Sequence, residues 1–208
     1  MRSNLNSSKE KIMNYKVLTV LLAVGGLSGC LGDDDDNDAS PNSPSGTWVR
    51  LCNVDTDGDI SSAELIVSGA EWMRNGALYY DAVCTEPYMS FRAESISASG
   101  GEVTLSNGTL ATAINHTITG VFLTLHSELD ATDFNTEQLC GIVAWKANKE
   151  MNITNCADLG FSDDQLLYDI YKIENNRLYE GDSSLEGVGD TPETRPTSLD
   201  YENFYQRQ

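Results

Sequence analysis

Tyr88-Met89-Ser90-Phe91-Arg92-Ala93-Glu94-Ser95-Ile96-Ser97-Ala98 decides the fold, because it alternates. Tyr88, Ser90 and Arg92 fall on one side, and Met89, Phe91 and Ala93 on the other. A period of two sends successive side chains to opposite faces of a strand, so the stretch predicts a half-buried β-strand. Working outward, Thr47 to Leu51, Glu64 to Ser68 and Ala77 to Tyr80 also read as strands, the last placed behind the hairpin dipeptide Asn75-Gly76. Downstream, Gly100-Gly101 and Asn107-Gly108 read as turns, and Thr109 to Ile118 and Val121 to Leu125 as strands. Leu167 to Ile173 turns at Asn175-Asn176 into Leu178-Tyr179. One helix is expected between Asp133 and Asn148, where Asp133 can cap and Leu139, Ile142, Val143 and Lys146 recur at helical spacing. About eight short strands in hairpin succession predict a mostly-β fold, an antiparallel up-and-down barrel whose closure removes sticky edges. A β-sandwich is the alternative.

The N-terminus carries a different kind of signal. Val17 to Val24 is an uncharged apolar run preceded by Lys16, Lys11, Lys9 and Arg2, the build of a secretory signal peptide. Extended through Leu31 it stays shorter than the ~20 residues of a membrane-spanning helix. Leu27-Ser28-Gly29-Cys30 resembles the lipobox of bacterial lipoproteins. That resemblance implies removal of residues 1–29, lipid on Cys30 and, with Leu31 and not Asp beside it, delivery to the outer membrane. Met13 would start a more compact signal peptide than Met1. Two or three acyl chains anchor stably where one does not.

The chain from Cys30 onward holds 9 basic and 31 acidic residues, a net charge of −22. Such a chain repels phosphate backbones, which excludes nucleic-acid binding. It suits a soluble body held off a membrane and could attract divalent cations, although acidic surfaces also simply keep secreted proteins soluble. Residues 30–45 are Asp, Asn, Ser, Pro and Gly-rich and read as a disordered acidic tether. Residues 46–208 suffice for one domain with a real core. With Cys30 taken by lipid, Cys52, Cys84, Cys140 and Cys156 leave an even number, read as two disulfides. Of three pairings, Cys52–Cys84 with Cys140–Cys156 closes the shortest loops.

Gly46-Thr47-Trp48 resembles the Gly-x-Trp opening of lipocalin-like barrels. There the Trp closes one end and a late Arg packs over it, so the resemblance implies a lid on Trp48 from Arg207. More broadly, GTWVRLC (46–52), YYDAVCTEPY (79–88), LCGIVAWK (139–146), YDIYKIENNRLYEGD (168–182) and RPTSLD (195–200) are similar to a group of uncharacterised bacterial lipoproteins with such a barrel. The resemblance carries no activity with it.

Asn53 to Glu64 fits the twelve-residue EF-hand loop in ligand positions: Asn53, Asp55, Asp57, Asp59 and Glu64 are the candidate metal ligands, with Gly58 at the sharp turn and Ile60 at the apolar eighth position. Ca²⁺ is the one cofactor this suggests, but the flanks read as strands and not as helices. His116 and His126 are the only histidines and sit in strand-like runs, with no nucleophile motif, zinc-protease motif or phosphate loop in the chain. Both are expected to be structural, and the protein non-enzymatic. Eight tyrosines (Tyr79, Tyr80, Tyr88, Tyr168, Tyr171, Tyr179, Tyr201, Tyr205) could line a ligand mouth. An eight-stranded barrel is either filled by side chains or holds one small ligand. The expected function is therefore a membrane-anchored envelope lipoprotein that binds a small hydrophobic molecule or lipid in its barrel. The alternative is a structural or protein-interaction module, stiffened by Ca²⁺ at the acidic loop.

Overall fold

The structure, a computed structural model, describes residues 43–54, 58–183 and 187–208. The signal peptide, Cys30, most of the tether, and Asp55 and Asp57 lie outside the described residues. Among the described residues the strands are β1 (Gly46–Val54), β2 (Ile60–Ser68), β3 (Glu71–Tyr79), β4 (Pro87–Thr104), β5 (Leu110–Leu125), β6 (Glu150–Asn152), β7 (Leu166–Glu174), β8 (Arg177–Glu180) and β9 (Tyr205–Arg207), with one α-helix, α1 (Glu128–Glu137), after β5. Neighbours pair in the order β4-β3-β2-β1-β9-β8-β7-β5, and β5 returns to β4. Eight antiparallel strands thus close into an up-and-down barrel. β6 pairs only with the far end of β5, at Phe122 to Thr124, and stays outside the ring.

The alternation in β4 does what its period dictates. Met89, Phe91, Ala93, Ser95 and Ser97 are buried inside the barrel, while Ser90, Arg92 and Glu94 look outward. Two turn expectations fail around it. Asn75-Gly76 is not a hairpin; it lies in the middle of β3, opposite Glu64 and Ala63 on one side and Arg92 and Phe91 on the other. The turn falls instead at Gly69-Ala70, between Ser68 and Glu71. Gly76 is there for packing: a Cβ on it would sit 1.9 Å from the Phe91 ring. Gly76→Ala is therefore expected to cost about 1–3 kcal/mol by overpacking, with much of the loss recovered when Phe91→Leu is added, read by chemical denaturation. Gly100-Gly101 is likewise no turn but a bulge in a continuous strand, where Ser99 faces Ile114 and Gly101 faces Ala113.

The helix also moves. Its cap is Ser127, whose Oγ accepts from the Asp130 amide at 3.1 Å, and it ends where Gln138 turns left-handed at φ 54°. Cys140 is left-handed too, at φ 59°, so the run expected to continue to Asn148 is broken. Its amide donates to Asp158 at 2.8 Å, and its sulfur is bound to Cys156. The helix and the segment after it form a plug. Phe134, Leu139, Trp145, Ile153 and Phe161 pack against Leu78, Met89, Leu123 and Leu125 at one end of the barrel.

Both disulfides join the nearer partners, Cys52–Cys84 and Cys140–Cys156, with Cα atoms 5.8 and 4.7 Å apart. The first staples β1 to the β3–β4 loop; the second staples the plug. They close loops of 32 and 16 residues, so the chain-entropy argument gives about 4 kcal/mol of stability to the first and about 3 to the second. The Cys140→Ser, Cys156→Ser double variant is expected to lose about that much, measured as a lower denaturation midpoint.

The other end of the barrel is closed by Trp48, fully buried. Its Nε1 donates to the Pro44 carbonyl at 2.6 Å. The Arg207 guanidinium lies 4.3 Å from its ring and donates to the carbonyls of Ser43 and Ser45. Leu65, Val67, Trp72, Ile114, Leu178 and Tyr205 complete this second core.

Candidate polar site at the barrel mouth

Between the two apolar cores, four ionisable side chains point into the barrel. Arg50 on β1 shares the inward parity of Trp48, and Arg74 on β3 that of Trp72 and Leu78. Asp169 on β7 faces Ile114 across the ladder, and Glu180 on β8 faces Tyr171. They line a recess of about 20 Å³ under the segment between β8 and β9, together with Gly181, Ser183, Asp200 and Asn203. That is room for one or two water-sized groups. Elsewhere the inward positions are filled by the protein's own side chains, Trp48, Leu65, Met89, Ile118, Leu123 and Leu178 among the most deeply buried.

Arg74 is 6% exposed and bonds Glu180 through Nη2. Asp169 is 3% exposed, and one of its oxygens accepts from the amides of Ile170 at 2.7 Å and Gly181 at 3.1 Å. Glycine is required at 181, since a Cβ there would meet that oxygen at 2.2 Å. Burial, seconded by the nearby Glu180 charge, pushes the Asp169 carboxyl up to about 8 against the pull of those amides and Arg74. Tyr205, fully buried, lies between the two arginines, whose guanidinium carbons stand 5.5 and 5.7 Å from its ring centre. Burial raises its pKa above the ordinary tyrosine value, so it remains a hydroxyl donor.

Asn53 and Glu64, the two ends of the acidic loop, lie in strands and not at helix ends. Asn53 sits in β1 opposite Ser61 and donates to Asn203 at 2.9 Å. Glu64 sits in β2 between Val49 and Asn75 and accepts from the Asn75 amide group at 3.2 Å. Asp59 is in the short connection, and Asp55 and Asp57 are outside the described residues. Among the described residues no three His, Cys, Asp or Glu are arranged to hold a metal ion.

His116 points into the core: its Nδ1 is 2.7 Å from Ser97 Oγ and its ring meets the edge of Trp72 at 5.0 Å. Burial, then the charges of Arg74 and Arg195, hold it well below the ordinary histidine value, hence neutral. His126 stands on the outer face in an arrangement invisible in the sequence. Its Nε2 is 3.0 Å from Ser90 Oγ and its Nδ1 3.1 Å from Asn148 Oδ1. The order resembles a nucleophile–base–orienting relay. Ser90, however, lies in a ladder between Ala77 and Thr124, so the amides around it are held by the sheet and not aimed at a developing oxyanion. It ties β4, β5 and the plug together.

Of the eight tyrosines, only Tyr171 and Tyr205 point inward. Tyr80 stacks on Tyr88 outside the barrel, and Tyr179 packs against Tyr201 and Phe204 on the outer face.

No protein-family model and no curated protein matches this chain. The fold and the site therefore rest on geometry alone.

Proposed function

We propose that this chain is a lipid-anchored protein of the bacterial cell envelope whose barrel is a non-enzymatic binding module, working at its polar mouth and not in its apolar interior. One observation carries the reading: Arg50, Arg74, Asp169 and Glu180 face inward around a recess. Ionic groups taken out of water cost several kcal/mol each, and a barrel built only as a filled scaffold would be more stable with apolar residues there. The apolar interior is occupied by side chains, which favours a small polar ligand over a lipid. Ser43 to Ser45 meet Arg207 at the Trp48 end.

Thermal unfolding against a panel of small polar solutes and long-chain fatty acids tests the binding reading. Saturating a site at 100 times Kd adds about 2.7 kcal/mol. The expected result is stabilisation by a polar solute, absent in Arg50→Ala, and none by fatty acids; the reverse pattern would refute it. The anchor is tested by Cys30→Ser, expected to abolish palmitate labelling and release the protein from envelope membranes.

A protein-interaction module is the second reading. Leu51, Val83 and Leu129, each more than 70% exposed, lie on β1, the β3–β4 loop and α1 at the plug end of the barrel.

A further inference from the structure

Resting on the protein-interaction reading above, we infer that the plug end of the barrel is a docking surface for a basic protein segment, one whose apolar side chains are flanked by Lys or Arg. Leu51 and Val54 on β1, Tyr80 and Val83 on the β3–β4 loop, Leu129 on α1 and Val143 in the plug are each at least 49% exposed. Among the described residues three other large apolar side chains are exposed, and they lie elsewhere on the barrel. Single exposed apolar residues are ordinary, but six gathered at one end call for a partner.

Two links hold the group together. The Cys52–Cys84 disulfide, with Cα atoms 5.8 Å apart, sets Leu51 beside Val83. Leu51 and Cys52 both lie in the bulge where β1 loses register with β2, between Arg50 and Asn53, and both are exposed. The Tyr80 hydroxyl donates to Asp130 at 3.2 Å, which seats the β3–β4 loop on α1 next to Leu129. Within that loop the Asp81 carboxylate accepts from the amides of Thr85 at 3.0 Å and Glu86 at 2.7 Å. Val83 is thus presented by a fixed turn, and a surface already ordered loses less freedom on binding.

Charge selects the occupant. α1 carries Glu128, Asp130, Asp133 and Glu137 and no base, and residues 75–91 add Asp81 and Glu86 and no base. Lys146 and Lys149 in the plug still leave this end acidic. A second copy would bring the same acids on a chain of net charge −19, and an anionic lipid surface would be repelled as well. A segment with apolar anchors and a basic rim matches both parts of the surface.

Fluorescence anisotropy of a labelled amphipathic peptide of leucine and lysine, titrated with the full chain at physiological ionic strength, tests the assignment. The same peptide with glutamate in place of lysine is the control. The lysine peptide is expected to bind saturably and the glutamate peptide not at all. The Leu51→Ser, Val83→Ser, Leu129→Ser triple variant changes exposed side chains alone, and is expected to weaken binding about tenfold or more, as loss of apolar anchors does. Leu110→Ser with Leu166→Ser, exposed but outside the group, is expected to leave the affinity unchanged. Equal loss in the two variants, or no loss in the first, would overturn the docking surface. If the glutamate peptide bound as well as the lysine peptide, or if a dimer or binding to phosphatidylglycerol vesicles took the place of peptide binding, and the triple variant abolished it, the basic partner would be overturned and the interaction reading would stand. No binding of peptide, second copy or vesicle would overturn both.

Discussion

Glu180→Ala is expected to destabilise the barrel by about 3–5 kcal/mol, the cost of breaking a buried ion pair from one side. The Arg74 side chain is 7% exposed and that of Glu180 17%, so the arginine stays in the interior when its carboxylate is removed. It cannot turn to bulk water, because β3 is flanked on both sides by β2 and β4 along its length. The Arg74→Met, Glu180→Leu double variant removes both charges at similar volume and is expected to recover most of the loss, since a buried pair is often worth no more than the apolar residues that could replace it. Urea denaturation of the wild type and these two variants gives the result directly. If Glu180→Ala alone were neutral, the pair would be solvated and the mouth open to bulk water. If the double variant were also much less stable, the charges would be holding the fold and not serving a site.

The second large effect is a pH dependence carried by Asp169. Its carboxyl titrates near 8 in the folded protein, against about 3.9 in an unfolded chain. Between those values the folded state holds a proton that the unfolded state has released. Stability from this group is therefore fully present below about pH 4 and is lost as pH rises through about 8, with a limiting slope near 1.4 kcal/mol per pH unit. Asp169→Asn keeps an oxygen for the amides of Ile170 and Gly181 but cannot ionise. The difference in unfolding free energy between wild type and Asp169→Asn is expected to shift by a few kcal/mol from pH 5 to pH 8, in favour of the variant as pH rises. A flat difference would mean that Asp169 is ionised in the folded state at neutral pH.

Much of the barrel was legible because strand periodicity is a local property. The alternation of Tyr88 to Ala98 survives intact in β4, and Asn107-Gly108 and Asn175-Asn176 turn where the chain needs turns. Asn75-Gly76 misled because a glycine that admits a neighbour's ring has the same letter as one that admits a turn; only the Phe91 ring distinguishes them. The helix was misplaced because Leu139 and Trp145 are buried by the plug and its disulfide, not by a helical stripe. β9 has only three residues, too short for any pattern, yet it closes the ring between β8 and β1.

The polar site was hidden by distance along the chain, since Arg50, Arg74, Asp169 and Glu180 meet only when the barrel closes. A signal was nonetheless present. Arg74 stands at the parity of Trp72 and Leu78, Asp169 at that of Leu167 and Tyr171, and Glu180 at that of Leu178. A charge on the apolar side of an alternating strand is a local anomaly, and several in one barrel point to a single inward cluster.

The most direct test of the central claim, a polar recess in an otherwise filled barrel, is two-dimensional NMR of the labelled protein titrated in turn with the small polar solutes of the panel and with a long-chain fatty acid. The Arg50 Nε–H signal is expected to move saturably with a polar solute, while the methyl signals of Leu65, Ile118 and Leu123 stay in place with either. Methyl signals that move with the fatty acid while Arg50 stays still would place the ligand inside the barrel and contradict the account.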